Sequence, residues 1–169
     1  MDFQDIILTR RSIRHFTDKK ISEKQIETIL KAAMYAPSAR NEQPWHFIVI
    51  DQKDILTKIA IVHPYAKMLN EAALAILVCA DEKLEKSAGY WSTDCAAATQ
   101  NILLSAHALG LGSVWLGVYP REERMNDIIK LFALPQNIHP FSLVALGYPN
   151  ETKEHPQRFN TERIHFNKW

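Results

Sequence analysis

The sequence predicts a layered α/β domain. Four apolar segments of strand length, residues 46–51, 74–80, 113–118 and 141–146, are separated by stretches of helical period. The run 74–80 is apolar without interruption, so both of its faces are covered. The chain has 169 residues, enough to hide roughly 70% of its extended surface in one core without staples. Taken alone, this alternation suggests a doubly wound parallel sheet.

Each element has a local reason. A helix over about residues 2–10 opens the chain. A second begins at Ser22, because Ser22-Glu23-Lys24-Gln25 matches the box in which two side chains satisfy each other's backbone donors. Ile26, Ile29, Leu30, Ala33 and Met34 form its apolar stripe, and Pro37 stops it. Strand 46–51 comes next. Short helices are expected over 54–62 and 65–71, parted by Pro64. After strand 74–80, a long helix over about 91–109 puts Cys95, Ala98, Ile102, Ala106 and Leu109 on one face, with Gly110 as its stop. Its alanines, Ala96 to Ala98, suit close approach by another helix. Strand 113–118 precedes a helix marked by Met125, Ile128, Ile129 and Phe132 and ended by Pro135. Strand 141–146 is the last.

No repeat, low-complexity stretch or Gly/Ser linker divides the chain, so residues 1–169 are read as one domain. Its tail, 149–169, is polar yet carries Phe159, Ile164, Phe166 and Trp169. An isolated monomer would expose that apolar load.

Composition excludes several classes. Hydrophobic residues are 47% and charged residues 23%, which rules out disorder, collagen and coiled coil. Twenty basic against nineteen acidic residues leave a net charge of +1, with no global field for nucleic acid or anionic lipid. Any anion must be held by a local cluster. The acidic start, Met1-Asp2-Phe3-Gln4-Asp5, is not a signal peptide, and the longest apolar stretch, 72–80, is half a membrane span. Cys79 and Cys95 lack metal-type or CxxC spacing, so a reducing compartment, the cytoplasm, is expected.

Familiar catalytic motifs are missing. Gly110-Leu111-Gly112 follows a helix and has Trp115 where a dinucleotide loop needs its third glycine. Seven scattered histidines give no metal-ligand spacing, and no metal is expected. Cys95 and His107 stand twelve residues apart on one helix, roughly 18 Å along its axis, too far to act together.

One cluster does carry chemistry. Arg10-Arg11-Ser12-Ile13-Arg14 places three guanidinium groups and a hydroxyl at a helix end. Arginine forks match phosphate oxygens two at a time, and serine adds a donor without bulk. A second segment, Ala36-Pro37-Ser38-Ala39-Arg40-Asn41-Glu42-Gln43-Pro44-Trp45, is a rigid polar loop whose amides suit a heteroaromatic edge, or simply a turn.

Together these segments resemble the nitroreductase family of FMN-dependent oxidoreductases. The resemblance continues through Asp94-Cys95-Ala96-Ala97-Ala98-Thr99-Gln100-Asn101, then Gly112-Ser113-Val114-Trp115-Leu116-Gly117, then Leu146-Gly147-Tyr148-Pro149 and Arg158. These pieces, in order, span nearly the whole chain. The resemblance implies an α+β sandwich instead of a parallel fold: a mixed, mainly antiparallel sheet flanked by helices, in a domain-swapped homodimer whose C-terminal arms pair with the partner.

It also implies roles. Arg10, Arg11 and Ser12 match residues on the FMN phosphate and ribityl chain, and Arg158 matches a late basic residue closing on the phosphate. Arg14 matches a cation near the pyrimidine edge, tuning the flavin. Pro37, Ser38, Ala39, Asn41 and Gln43 match the loop that reaches the other subunit's flavin. Trp115, Leu116 and Gly117 match the strand end facing the ring, and Lys67 matches a lysine near the ring carbonyl in longer members. Pro64 stands where those members carry an Asn. The implied activity is transfer of hydride from NAD(P)H, through FMN, to nitroaromatic, quinone or similar acceptors with ping-pong kinetics. No nucleophile or base is required. Alternatives are other FMN chemistry within the family (dehydrogenation, dehalogenation, flavin fragmentation) or a flavin-binding protein without turnover.

Overall fold

In the computed structural model, which describes residues 2–169, four strands form one sheet ordered β1-β2-β4-β3. They are β1 (Trp45–Ile50), β2 (Leu74–Asp81), β3 (Gly112–Gly117) and β4 (Ile138–Gly147). All three pairings are antiparallel, which corrects the parallel reading of the pattern and agrees with the α+β sandwich. The reason lies in β2. Leu74, Ile76, Val78 and Ala80 enter one core layer, whereas Ala75, Leu77 and Cys79 enter the other. Helices cover both faces, so an antiparallel strand shows the unbroken apolar run usually found in parallel sheets.

The described residues form five α-helices, α1 (Phe3–Thr9), α2 (Glu23–Met34), α3 (Lys53–Val62), α4 (Trp91–Ala108) and α5 (Glu122–Phe132). Ser22 closes the expected capping box with Gln25. Gly110, at φ +73°, follows the end of α4 as a left-handed stop should. The segment expected as a helix over 65–71 is only a short 3₁₀ turn, Lys67–Asn70. Helix α5 ends at left-handed Ala133, two residues before Pro135. Pro140 lies inside β4 opposite Cys79, where the register shifts, so its missing N–H falls at an irregularity.

Helices α2 and α4 pack on one face of the sheet, with Ile29, Ala33, Cys95, Ala98, Ile102 and Ala106 buried. Leu56, Ile59 and Ile128, from α3 and α5, line the opposite layer. Beyond β4 the chain runs extended with one 3₁₀ turn, Thr161–Arg163. Phe159 is 80% exposed and Trp169 wholly so. Among the described residues, no helix is long and apolar enough to cross a membrane.

Candidate functional site

Strand β3 is an edge strand, and its outer rim is the floor of the candidate site. In a strand, the peptide groups of alternate residues point the same way. The carbonyl of Ser113 accepts from Ile13 N at 3.0 Å, and the carbonyl of Gly117 accepts from His63 Nε2 at 3.0 Å and Arg124 Nη1 at 2.9 Å. All three partners lie outside the sheet, so the peptide groups of Trp115, midway between Ser113 and Gly117, also face outward. The Trp115 ring turns onto the core and meets Phe141 at 5.7 Å, and Leu116 is buried. From Trp115 and Gly117, therefore, backbone is what the rim offers.

The arginine segment is stitched along the start of this rim. Ser12 forms a parallel bridge with Ser113, and Phe16 an antiparallel one with Pro149. Two glycines make room for it: a Cβ on Gly112 would lie 2.7 Å from Ile13 Cγ2, and one on Gly147 2.7 Å from Phe16 Cδ1. Glu151 Oε1 accepts from Arg14 N at 2.5 Å and His15 N at 3.2 Å, and its other oxygen pairs with Lys153. Burial pushes the Glu151 carboxyl up, but Lys153 and these two amides outweigh it and hold it down at about 2.

The guanidinium groups divide their work. Arg11 Nη1 donates to the carbonyls of Leu8 (2.9 Å) and Arg10 (2.6 Å), and its Nε donates to Glu154 O at 2.9 Å. It thus caps the end of α1 and clasps the tail. Arg10 is half-buried, and burial, then Arg11, then Arg158 all depress its affinity for its proton. Among the described residues no carboxylate offsets them there, so the cluster suits an anion. Arg158, whose charge acts on Arg10, is exposed, as is Arg14 further along the segment. His107, from the last turn of α4, joins the cluster through Thr9, with Oγ1 and Nε2 2.8 Å apart. Burial, followed by Arg10, His155 and Arg11, keeps His107 below its ordinary value. Thr9, Arg11, Ile13, His107 and Glu151 share the walls of a cavity of about 280 Å³.

The loop ahead of β1 is elsewhere. Strand β1 is the opposite edge, and Trp45 pairs with Ala80 at the sheet end away from Gly112. Pro37, Ser38, Ala39, Asn41 and Gln43 therefore sit diagonally across the sheet from Arg10, and one chain does not bring the two segments together. The loop is rigidly built: Arg40, Asn41 and Gln43 are left-handed (φ 49°, 53° and 48°). Ser38 Oγ accepts from Gln43 N at 3.1 Å, Asn41 Oδ1 from Gln43 Nε2 at 2.6 Å, and Asp94 Oδ1 from Ala39 N at 3.0 Å. Holding Arg40 and Gln43 there costs about 1–2 kcal/mol each, which only a surrounding scaffold sustains.

Lys67 opens the 3₁₀ turn and is exposed. Its stretch is tied to the rim by buried His63. Cys95 is buried, and burial pushes its thiol up, so it offers no nucleophile. Among the described residues, no group of three or more His, Cys, Asp or Glu is placed to hold a metal.

Sequence reasoning assigns no site role to His63, Asp94, His107 or Glu151. Their partners stand 54, 55, 98 and 137 positions away, and no local pattern records such pairings.

The sequence profile of the Nitroreductase family matches residues 7–62 and 58–148. A protein of Archaeoglobus fulgidus, provisionally named NADH dehydrogenase/NAD(P)H nitroreductase, is 55% identical over 168 residues and 97% of each chain. An FMN-dependent nitroreductase from Clostridium difficile superposes with a TM-score of 0.91 at 30% identity, covering 99% of this chain and 100% of that one. A nitroreductase-like structure from Desulfovibrio desulfuricans, solved in complex with FMN, superposes at 0.85 with 32% identity, covering 98% and 96%.

Proposed function

The chain belongs to the nitroreductase family, and from that premise we propose that it is an FMN-dependent oxidoreductase drawing on NAD(P)H. One observation carries this reading: half-buried Arg10, with Arg11 and Arg158 around it and, among the described residues, no carboxylate to offset them, lies at the start of the edge-strand rim. That donor set fits the dianionic phosphate of FMN at one end and the polar edge of its ring at the other. Arg10 and Arg158 hold the phosphate, and Ser12 adds a hydroxyl. Arg11 is already committed to carbonyls, so it shapes the cluster and adds charge from behind. The outward peptide groups of Trp115 and the N–H of Gly117 meet the ring edge, the Gly117 carbonyl being held by His63 and Arg124, with Leu116 packed beneath them. Arg14 and Lys67 supply exposed cations for the ring's pyrimidine side.

Bound FMN supplies the redox chemistry, a two-electron exchange between NAD(P)H and an aromatic acceptor such as a nitroaromatic or a quinone. The chain's own part is placement and electrostatics. Fixed cations near the ring stabilise negative charge there more than they stabilise a neutral ring, and so favour reduction. Donor and acceptor occupy one space in turn, which gives ping-pong kinetics. The diagonal separation of residues 37–43 from Arg10 supports a homodimer in which each loop closes the other subunit's site. The exposed apolar tail supports the same assembly: covering such side chains stabilises by roughly 1.5–3 kcal/mol each.

Purified protein is expected to be yellow, with one FMN per subunit, and to oxidise NAD(P)H faster when a nitroaromatic is added. A colourless protein that takes up no added FMN overturns the reading. A yellow protein without turnover would be a flavin carrier instead.

A further inference from the structure

The loop over residues 38–43 is held by an unusual pair of acids. Glu42 and Asp94 are each 5% exposed, and Asp94 stands in the first turns of α4. Glu42 Oε2 accepts from Lys86 N at 2.6 Å and Ser87 N at 3.0 Å, while Asp94 Oδ1 accepts from Ala39 N at 3.0 Å. That leaves one oxygen on each, Glu42 Oε1 and Asp94 Oδ2, buried with no other partner among the described residues. The two acids converge on one residue: Asp94 holds Ala39 N, and Glu42 N donates to the Ala39 carbonyl at 3.0 Å. Two buried carboxylates in this arrangement would repel without compensation.

We propose that Asp94 and Glu42 share a single proton, and that this carboxyl–carboxylate bond clamps the loop in the left-handed shape it needs to close the neighbouring flavin site. The second half rests on the flavin-binding reading above; the clamp itself does not. The proton resides on Asp94. Burial, reinforced by Glu42 and by Glu85 on the preceding turn, pushes Asp94 above its ordinary value. For Glu42, burial acts upward, but the Lys86 and Ser87 amides, Asp94 itself and the Lys86 charge outweigh it, so Glu42 stays ionised. Cys95, the remaining titratable neighbour on α4, is held neutral by burial. Through the clamp, α4, the 85–87 turn and the loop become one unit. Asp94 is thus a positioning residue for the loop and touches no substrate.

Because Asp94 must keep its proton, alkaline conditions open the clamp. The test uses the FMN-loaded protein, with two readouts. The first is tryptic cleavage after exposed Arg40, followed by mass spectrometry; the second is FMN affinity from the fluorescence of released flavin. D94A should speed cleavage at Arg40 and weaken FMN binding, each by about tenfold. D94N can still accept from Ala39 and donate to Glu42, so it should match the wild type in both at neutral pH. Raising the pH should accelerate cleavage in wild type relative to D94N. If D94A leaves Arg40 protected, or if wild type and D94N respond identically to pH, the clamp is wrong. If D94A frees the loop yet leaves FMN affinity unchanged, the clamp stands and the loop's part in the flavin site falls.

Discussion

His63 Nε2 lies 3.0 Å from the carbonyl oxygen of Gly117, and the same ring accepts from Tyr65 N through Nδ1 at 3.3 Å. A carbonyl can only accept and an amide only donate, so the tautomer is assigned: the proton is on Nε2. Burial, aided by Arg124, holds His63 below its ordinary value of 6.5. The imidazole is thus a neutral strut between the stretch leading to Lys67 and the end of the β3 rim.

His63→Gln, which can still donate to Gly117, should keep FMN within a few-fold of normal affinity. His63→Ala leaves that donor missing and should cost about 1–3 kcal/mol of stability. The unfolded state binds the extra proton, so His63 contributes stability that is present above 6.5 and lost as the pH falls. Denaturant midpoints of wild type should therefore drop more steeply on mild acidification than those of His63→Gln. Parallel curves would remove His63 as the source.

Arg158→Ala and Arg14→Ala should fail differently. The first loses a phosphate partner, and FMN affinity should fall about tenfold or more. The second should lower the flavin potential and slow reduction by NAD(P)H, with affinity less affected. Equal losses of affinity with an unchanged potential in both would show that Arg14 does not serve the ring.

His107 reports on the cluster from behind. Arg10, Arg11 and His155 add to burial in keeping it below 6.5. A bound phosphate brings negative charge to the same cluster, so loading with FMN should move the His107 titration upward in an NMR pH series. An unmoved titration would place the phosphate elsewhere.

Deleting residues 164–169 removes Ile164, Phe166 and Trp169, all exposed within one chain. Dimer dissociation and FMN release should both increase, as sedimentation and flavin fluorescence would show. A truncated protein that stays dimeric when dilute and keeps its flavin would show that the tail is not an exchanged arm.

Local features were readable without the fold. The Ser22 capping box, the stop at Gly110, the buried run of β2 and the arginine cluster each depend on neighbours a few residues away, and periodicity records them. The resemblance of ordered motifs supplied the antiparallel sandwich that periodicity did not. An apolar period states which faces are buried, and says nothing of the direction in which a neighbouring strand runs. Tertiary structure alone decided that Arg11 reaches the carbonyl of Glu154, that Glu151 takes the Arg14 amide, and that residues 37–43 lie diagonally across from Arg10. Those outcomes follow from pairings made across most of the chain. There, the burial of one charge or amide is settled by whichever distant group arrives to meet it.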